Sequence, residues 1–123
     1  MTQPQAYAVT EGDGLPVVFV HGMGVDHRSL MLLDEAFLCP ESGAAASRSL
    51  KRIYLDLPGF GRTPALPARA CGLPEMADWL QSAIDDLVGA GEAVALVGNS
   101  MGGALARDPM VARESSRVRR AWH

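Results

Sequence analysis

The sequence predicts an α/β fold in a single domain of 123 residues, with a mostly parallel sheet flanked by helices. Three observations predict it. Continuous β-branched and aromatic runs such as Val17-Val18-Phe19-Val20 have the pattern of strands covered on both faces. They alternate with stretches whose apolar residues recur every three or four positions, and strand–helix alternation with short connections builds parallel sheets. The conspicuous polar and glycine-rich loops all follow strands, which places them at the carboxyl edge where such sheets bind ligands.

After a polar lead-in, Ala6-Tyr7-Ala8-Val9-Thr10 reads as a short strand and Glu11-Gly12-Asp13-Gly14 as the hairpin turn after it. Val17 to Val20 is the first buried strand. Ser29 to Phe37 has helical spacing through Leu30, Leu33 and Phe37, and Pro40 to Ser49 is a loop of small residues. Ile53-Tyr54-Leu55 is the second buried strand, closed by the turn-forming Asp56-Leu57-Pro58-Gly59-Phe60-Gly61. Pro74 opens a helix whose inward positions are Met76, Leu80, Ala83, Ile84 and Leu87, and Gly89 and Gly91 stop it. The strand Ala93 to Val97 follows, then an Ala-rich helical stretch, Gly103 to Ala112. Residues 113–123 read as a basic, frayed tail outside the motif-bearing region 15–112.

A hydrophobic fraction of 48% is ordinary for a folded core and argues against disorder. The formal charge of -3 conceals an asymmetry, because after residue 106 five arginines face only Asp108 and Glu114. Without interleaved aromatics or a groove-reading motif, that basic end reads as a solvated face, and nucleic acid is not an expected partner. Cys39 and Cys71 have neither C-x-x-C nor Cys/His metal spacing and read as reduced thiols, so no metal or cofactor is expected. The first residues lack a basic and apolar export signal, and no apolar run approaches the roughly 18 residues of a spanning helix. A cytoplasmic protein with no membrane partner is the expectation.

The most informative segment is Val97-Gly98-Asn99-Ser100-Met101-Gly102-Gly103, directly after Ala93-Val94-Ala95-Leu96. It reads as a strand turning sharply into a helix with serine at the apex, a nucleophile elbow. The pattern G-x-S-x-G needs small residues two before and two after the serine, because the turn brings strand and helix backbones together. Gly98 and Gly102 supply them. A serine hydroxyl is a poor nucleophile at neutral pH, so Ser100 needs a base, and the oxyanion formed by its attack needs preorganised donors.

Three motifs, His21-Gly22-Met23-Gly24, Asp56 to Thr63 and Gly98 to Gly103, occur in the order and spacing seen in α/β-hydrolase fold enzymes. Over Leu15 to Ala112 the chain resembles the N-terminal half of the serine esterase, lipase and carbon–carbon hydrolase branch. Serine at the elbow argues against the aspartate-nucleophile epoxide hydrolases, and Gly-Asn-Ser-Met-Gly-Gly resembles meta-cleavage-product hydrolases. The resemblance implies Ser100 as nucleophile and the backbone N–H of Met101 as one oxyanion donor, with Met23 or Gly24 as the other. It implies motif roles for His21, Gly22, Gly24, Asp56, Gly59, Gly61, Gly98 and Gly102, with His21 organising its loop and Asp56 tying down the loop after its strand. The implied reaction is cleavage of an ester or activated carbon–carbon bond in a small-molecule substrate, through an acyl-enzyme.

Elsewhere the residues read as ordinary structure: His27 as a surface or helix-entry residue, Asp85 and Asp86 on a polar face, Met31, Met76 and Met110 as core filler. In the α/β-hydrolase order the acid and histidine follow the elbow, and here only Asp108, Glu114 and His123 do. None makes a convincing triad. The segment Arg117 to His123 is too basic for the buried strand expected there, and Pro109 should kink or end its helix. The expectation is therefore a truncated α/β-hydrolase fold ending after the nucleophile helix, inactive or weakly active. It would leave an exposed strand edge at Ala93 to Val97 for self-association, and the alternative is a non-catalytic remnant binding a small ligand or partner chain through that edge.

Overall fold

A computed structural model describes residues 3–34, 49–112 and 118–120, with side-chain surroundings up to Arg107 in the last helix. In chain order the elements are β1 (Ala8–Glu11), β2 (Leu15–Val20), α1 (Arg28–Met31), β3 (Leu50–Leu55), α2 (Leu73–Val88), β4 (Val94–Gly98), α3 (Met101–Ala112) and β5 (Val118–Arg120). They form one five-stranded sheet in the order β1-β3-β2-β4-β5. All neighbouring pairs are parallel except β1 with β3.

The apolar run in β2 explains its central place. Val18 lies opposite Ile53 on one side and Leu96 on the other, and every residue from Val17 to Val20 is buried. Alternate side chains then serve opposite faces. Val18 and Val20 join Ile53, Leu55 and Leu96 against α2 and α3, where Leu80, Ile84 and Leu105 meet them. Val17, Phe19 and Tyr54 pack with Leu30 of α1 on the other face. Phe19 and Tyr54 stack with ring centroids 4.4 Å apart.

The helix expected from Pro74 begins one residue earlier, with Gly72 as N-cap, and ends at Gly89, whose N–H donates to the Asp85 carbonyl at 2.8 Å. Its Trp79 is buried and donates from Nε1 to the Pro4 carbonyl at 2.8 Å, which ties the lead-in residues to the helix.

Four expectations require correction. Glu11 to Gly14 is not a hairpin turn: β1 lies antiparallel to β3, with Glu11 opposite Arg52, and Gly12 to Gly14 carries the chain past the start of β3. The reason is that β2 needs a strand on both sides, so its sequence neighbour is displaced by two strand spacings, about 10 Å. Residues 118–120, expected within a frayed tail, form a strand instead, since Val118–Arg120 pairs in parallel with Val94–Leu96. A strand at the edge of a sheet is fully paired on only one side, where charged residues are tolerated and even favoured. It follows that the edge of β4 is covered over those residues rather than exposed. Finally, α3 continues through Pro109 to Ala112, because a proline removes one backbone donor without removing the tertiary contacts that hold the helix. The helix expected over Ser29 to Phe37 is α1 at Arg28–Met31; residues 35–37 of that expectation lie outside the described residues, as do Cys39 and most of the loop to Ser49.

Candidate active site

The crossovers set the location. From β2 the chain leaves through α1 on one face, and from β4 through α3 on the other, so their carboxyl ends flank a topological switch point. The loops after these two strands are His21 to His27 and Asn99 to Met101. They meet there.

At the end of β4 the Asn99 N–H donates to the Val20 carbonyl at 3.1 Å, extending the ladder past Gly98. Ser100 then adopts φ +58°, the only left-handed non-glycine among the described residues. That conformation costs on the order of 1–2 kcal/mol in an L-residue. The turn is closed by Gly102 N–H to the Asn99 carbonyl at 2.9 Å and Gly103 N–H to the Ser100 carbonyl at 3.0 Å. Ser100 is exposed, and its hydroxyl has no hydrogen-bonding partner among the described residues. The Met101 N–H, first of the helix, also takes no acceptor among them.

Close approach explains the small residues. A Cβ on Gly102 would collide with the carbonyl oxygens of Val20 and His21, and one on Gly98 would lie 2.6 Å from Gly103 Cα and N. The first turn of α3 thus packs directly against the end of β4. On the opposing loop, a Cβ at Gly22 would stand 3.3 Å from Ser100 Cβ and 3.2 Å from the Asn99 carbonyl. The loop after β2 therefore touches the nucleophile turn. Met23 is 71% exposed at its tip, followed by Gly24 at φ +82°, and the N–H groups of both take no acceptor among the described residues.

His21 is fully buried with both ring nitrogens engaged. Nε2 accepts the Leu57 N–H at 2.9 Å, so Nδ1 carries the proton and donates to the Gly22 carbonyl at 2.7 Å. No lone pair remains for a substrate proton. Asp56 is also fully buried; Oδ2 accepts the Arg62 N–H at 2.9 Å, and a Cβ at Gly61 would collide with the carboxylate. Gly59 is exposed in the same turn, its N–H donating to the Thr63 carbonyl at 3.1 Å.

His27 is the helix-entry residue rather than a surface one, standing at the N-cap of α1. Its side chain is 12% exposed, and both its N–H (2.7 Å) and Nδ1 (2.8 Å) donate to Asp56 Oδ1. Sequence offered no signal for this pairing across 29 residues, nor for the Asp34–Arg52–Tyr54 cluster. In that cluster Arg52 Nε donates to Asp34 Oδ1 at 2.5 Å and Tyr54 donates to the same oxygen at 2.7 Å. Burial pushes the Asp34 carboxyl up, but the two hydrogen bonds outweigh it and hold it below the usual carboxylate range. Burial, reinforced by the bond to Asp34, pushes the Tyr54 phenol well up.

Asp26, His27 and Asp56 bring three ligand-type atoms within 4.8 Å of one another. Hydrogen bonds already engage them: Asp26 forms a forked pair with Arg28, which holds its carboxyl down at about 2, and Asp56 accepts three N–H groups. An open cleft of about 640 Å³ lies on the same edge, bounded by Gly24, Val25, Arg28, Leu32 and Phe60. Of the acids and histidine downstream, Glu114 and His123 lie outside the described residues, as does the side chain of Asp108. No described helix is long and apolar enough to cross a membrane.

Comparison with known proteins agrees with this geometry. Among curated proteins none matches. An alpha/beta superfamily hydrolase from Oenococcus oeni is similar at 27% identity and a TM-score of 0.78, over 96% of this chain and 40% of that one. An esterase from Exiguobacterium antarcticum is similar at 27% identity and 0.72, over 94% and 39%. An epoxide hydrolase from Vigna radiata shares the fold at 21% identity and 0.77, over 97% and 34%. The chain thus spans about 40% of the length of the first of these. The profile of the alpha/beta hydrolase family matches residues 17–121, nearly the whole of the sheet and both flanking loops, and on that match the chain belongs to the alpha/beta hydrolase family.

Proposed function

We propose that this chain carries the nucleophile and the oxyanion donors of a serine hydrolase acting on an ester or activated carbon–carbon bond. The observation that carries the reading is Ser100 itself, an exposed residue held at φ +58° on the strand-to-helix turn. Strained backbone concentrates at active sites, ligand clamps and switches, which supports the reading. In the proposed reaction Ser100 Oγ loses its proton to a base and bonds to the acyl carbon. The carbonyl oxygen becomes an oxyanion facing the free N–H groups of Met101 and Met23, with Gly24 the neighbouring alternative. Collapse expels the leaving group, and water then cleaves the acyl-enzyme. Each donor is worth about 2.7–4 kcal/mol of barrier lowering.

The two described histidines are engaged elsewhere, His21 through both nitrogens and His27 on Asp56. We therefore propose that this chain by itself is inactive or weakly active, with some rate surviving from the oxyanion donors and binding, since serine proteases stripped of triad members retain about 10³–10⁴ over water. Long incubation with a fluorophosphonate tests both parts. Slow labelling that disappears in Ser100→Ala is the expected result. Labelling that persists in Ser100→Ala, or none at all, refutes the nucleophile, while complete Ser100-dependent labelling within minutes refutes the weak activity.

One observation favours a second reading. Among the described residues β5 pairs on one side only, so a non-catalytic role would be association with a second copy or another chain through that outer edge. Sedimentation velocity across a hundredfold range of concentration tests it; an unchanging monomer refutes self-association.

A further inference from the structure

We propose that Asp56, acting through His27, positions the loop that presents the Met23 N–H to Ser100. This rests on the oxyanion role of that loop proposed above. The loop must place one backbone donor against the nucleophile turn, yet its tip has little to hold it. Met23 is 71% exposed, and nothing lies within 4 Å of a Cβ built on Gly24. Its geometry must therefore be set from its two ends.

Both ends are fastened to consecutive residues at the end of β3. At the first, buried His21 accepts the Leu57 N–H on Nε2 at 2.9 Å and clamps the Gly22 carbonyl with Nδ1 at 2.7 Å. At the second, Asp56 Oδ1 receives the His27 N–H at 2.7 Å and the His27 ring at 2.8 Å. An ionised carboxylate only accepts, so the His27 ring must hold its proton on Nδ1. Asp56 is itself anchored, for its own N–H donates to the Tyr7 carbonyl at 2.9 Å and its Oδ2 accepts the Arg62 N–H at 2.9 Å. Tyr7 also flanks the His27 ring, with centroids 5.4 Å apart. Gly22 to Val25 are thus strung between two points of one dipeptide, and Asp26, at the entry to α1, accepts the Arg28 N–H at 3.0 Å and the Ser29 N–H at 3.1 Å. The simpler role for Asp56, bracing its own loop through Arg62, uses only Oδ2 and leaves the bonds to His27 without purpose.

The test compares His27→Leu, which lacks the ring donor, with His27→Asn, whose amide N–H sits where Nδ1 does, in the full chain. Backbone order parameters from ¹⁵N relaxation are read at Met23, Gly24 and Val25, with α2 as internal reference. Values near 0.85 mark rigid backbone and values below about 0.6 a flexible one. In His27→Leu the loop should fall into the flexible range while α2 stays unchanged, and His27→Asn should restore it. Should His27→Leu fail to fold, His27→Ala retains the backbone N–H bond to Asp56 and should give the same loosening. An unchanged loop in the Leu or Ala variant overturns the proposal, as does loosening shared equally by α2 or a lack of rescue by Asn. Where wild-type Ser100 is labelled by a fluorophosphonate, His27→Leu should slow labelling by roughly 10²-fold, the lower end of the effect of one lost oxyanion donor, and Asn should restore it. Absence of wild-type labelling counts against the nucleophile alone, since the order parameters decide the positioning separately.

Discussion

Replacing Gly102 by alanine sets two effects of opposite sign against each other. Gly102 lies in the first turn of α3, where alanine gains about 0.5–1 kcal/mol over glycine from backbone entropy. The new Cβ, however, lands on the carbonyl oxygens of Val20 and His21, closer than real Cβ contacts occur. The Val20 oxygen cannot retreat freely, because it accepts the Asn99 N–H at 3.1 Å and closes the ladder between β2 and β4. Overpacking typically costs 1–3 kcal/mol, and a clash with fixed backbone belongs at about 3. The net loss is then about 2 kcal/mol, or about 8 °C in Tm at roughly 4 °C per kcal/mol for a domain of this size. Thermal unfolding followed by circular dichroism, with a urea titration alongside, reads both quantities. Gly24→Ala is the comparator: its φ of +82° is unfavourable but its surroundings are empty, so it should lose only about 1 kcal/mol. A Gly102→Ala variant as stable as wild type, or Gly24→Ala losing the more, would refute the close-approach account of the elbow.

Other outcomes follow from the same structure. Ser100→Gly should raise stability by about 1 kcal/mol by relieving the left-handed strain, while abolishing any covalent labelling; a lower Tm would show that the serine is not strained. The Asp34 carboxyl is held below its usual range in the folded state, so it stabilises the fold above the unfolded pKa of about 3.9 and loses that contribution as pH falls through the lowered folded value. Asp34→Asn should accordingly be less stable than wild type at neutral pH and converge with it in acid, and parallel stability curves across pH 2–7 would contradict the assignment. Trp79→Phe, which deletes the hydrogen bond to the Pro4 carbonyl, should cost about 1–2 kcal/mol and speed proteolytic clipping within residues 3–6; an unchanged digestion pattern would mean the lead-in is held by other contacts.

What was legible in the sequence was whatever depended on neighbours along the chain. The apolar run at Val17 to Val20 demanded a central strand, and the glycines around Ser100 demanded a strand-to-helix turn. Partners across the fold were not. Turn-forming residues at Gly12 to Gly14 look alike whether the chain doubles back beside β1 or passes β3 first. Arginines at 119 and 120 obscured β5 because composition does not reveal whether a strand has one neighbour or two. His27 looked unremarkable since its meaning lies in Asp56, 29 residues away, and buried Arg52 meets Asp34 only when the segment after α1 folds over β3.

The central position of β2 also governs how the chain reaches its fold during synthesis. Val18 pairs with Ile53 and with Leu96, the latter roughly 80 residues later, which at about 5–20 residues per second leaves the strand waiting on the order of 4–16 s for its second neighbour. Throughout that interval Val17-Val18-Phe19-Val20, fully buried in the finished sheet, is a short uncharged segment of high β-propensity with an open side. The nascent chain is therefore open to misassociation through this strand until β4 emerges, and the strand is a segment for a chaperone to cover in that interval.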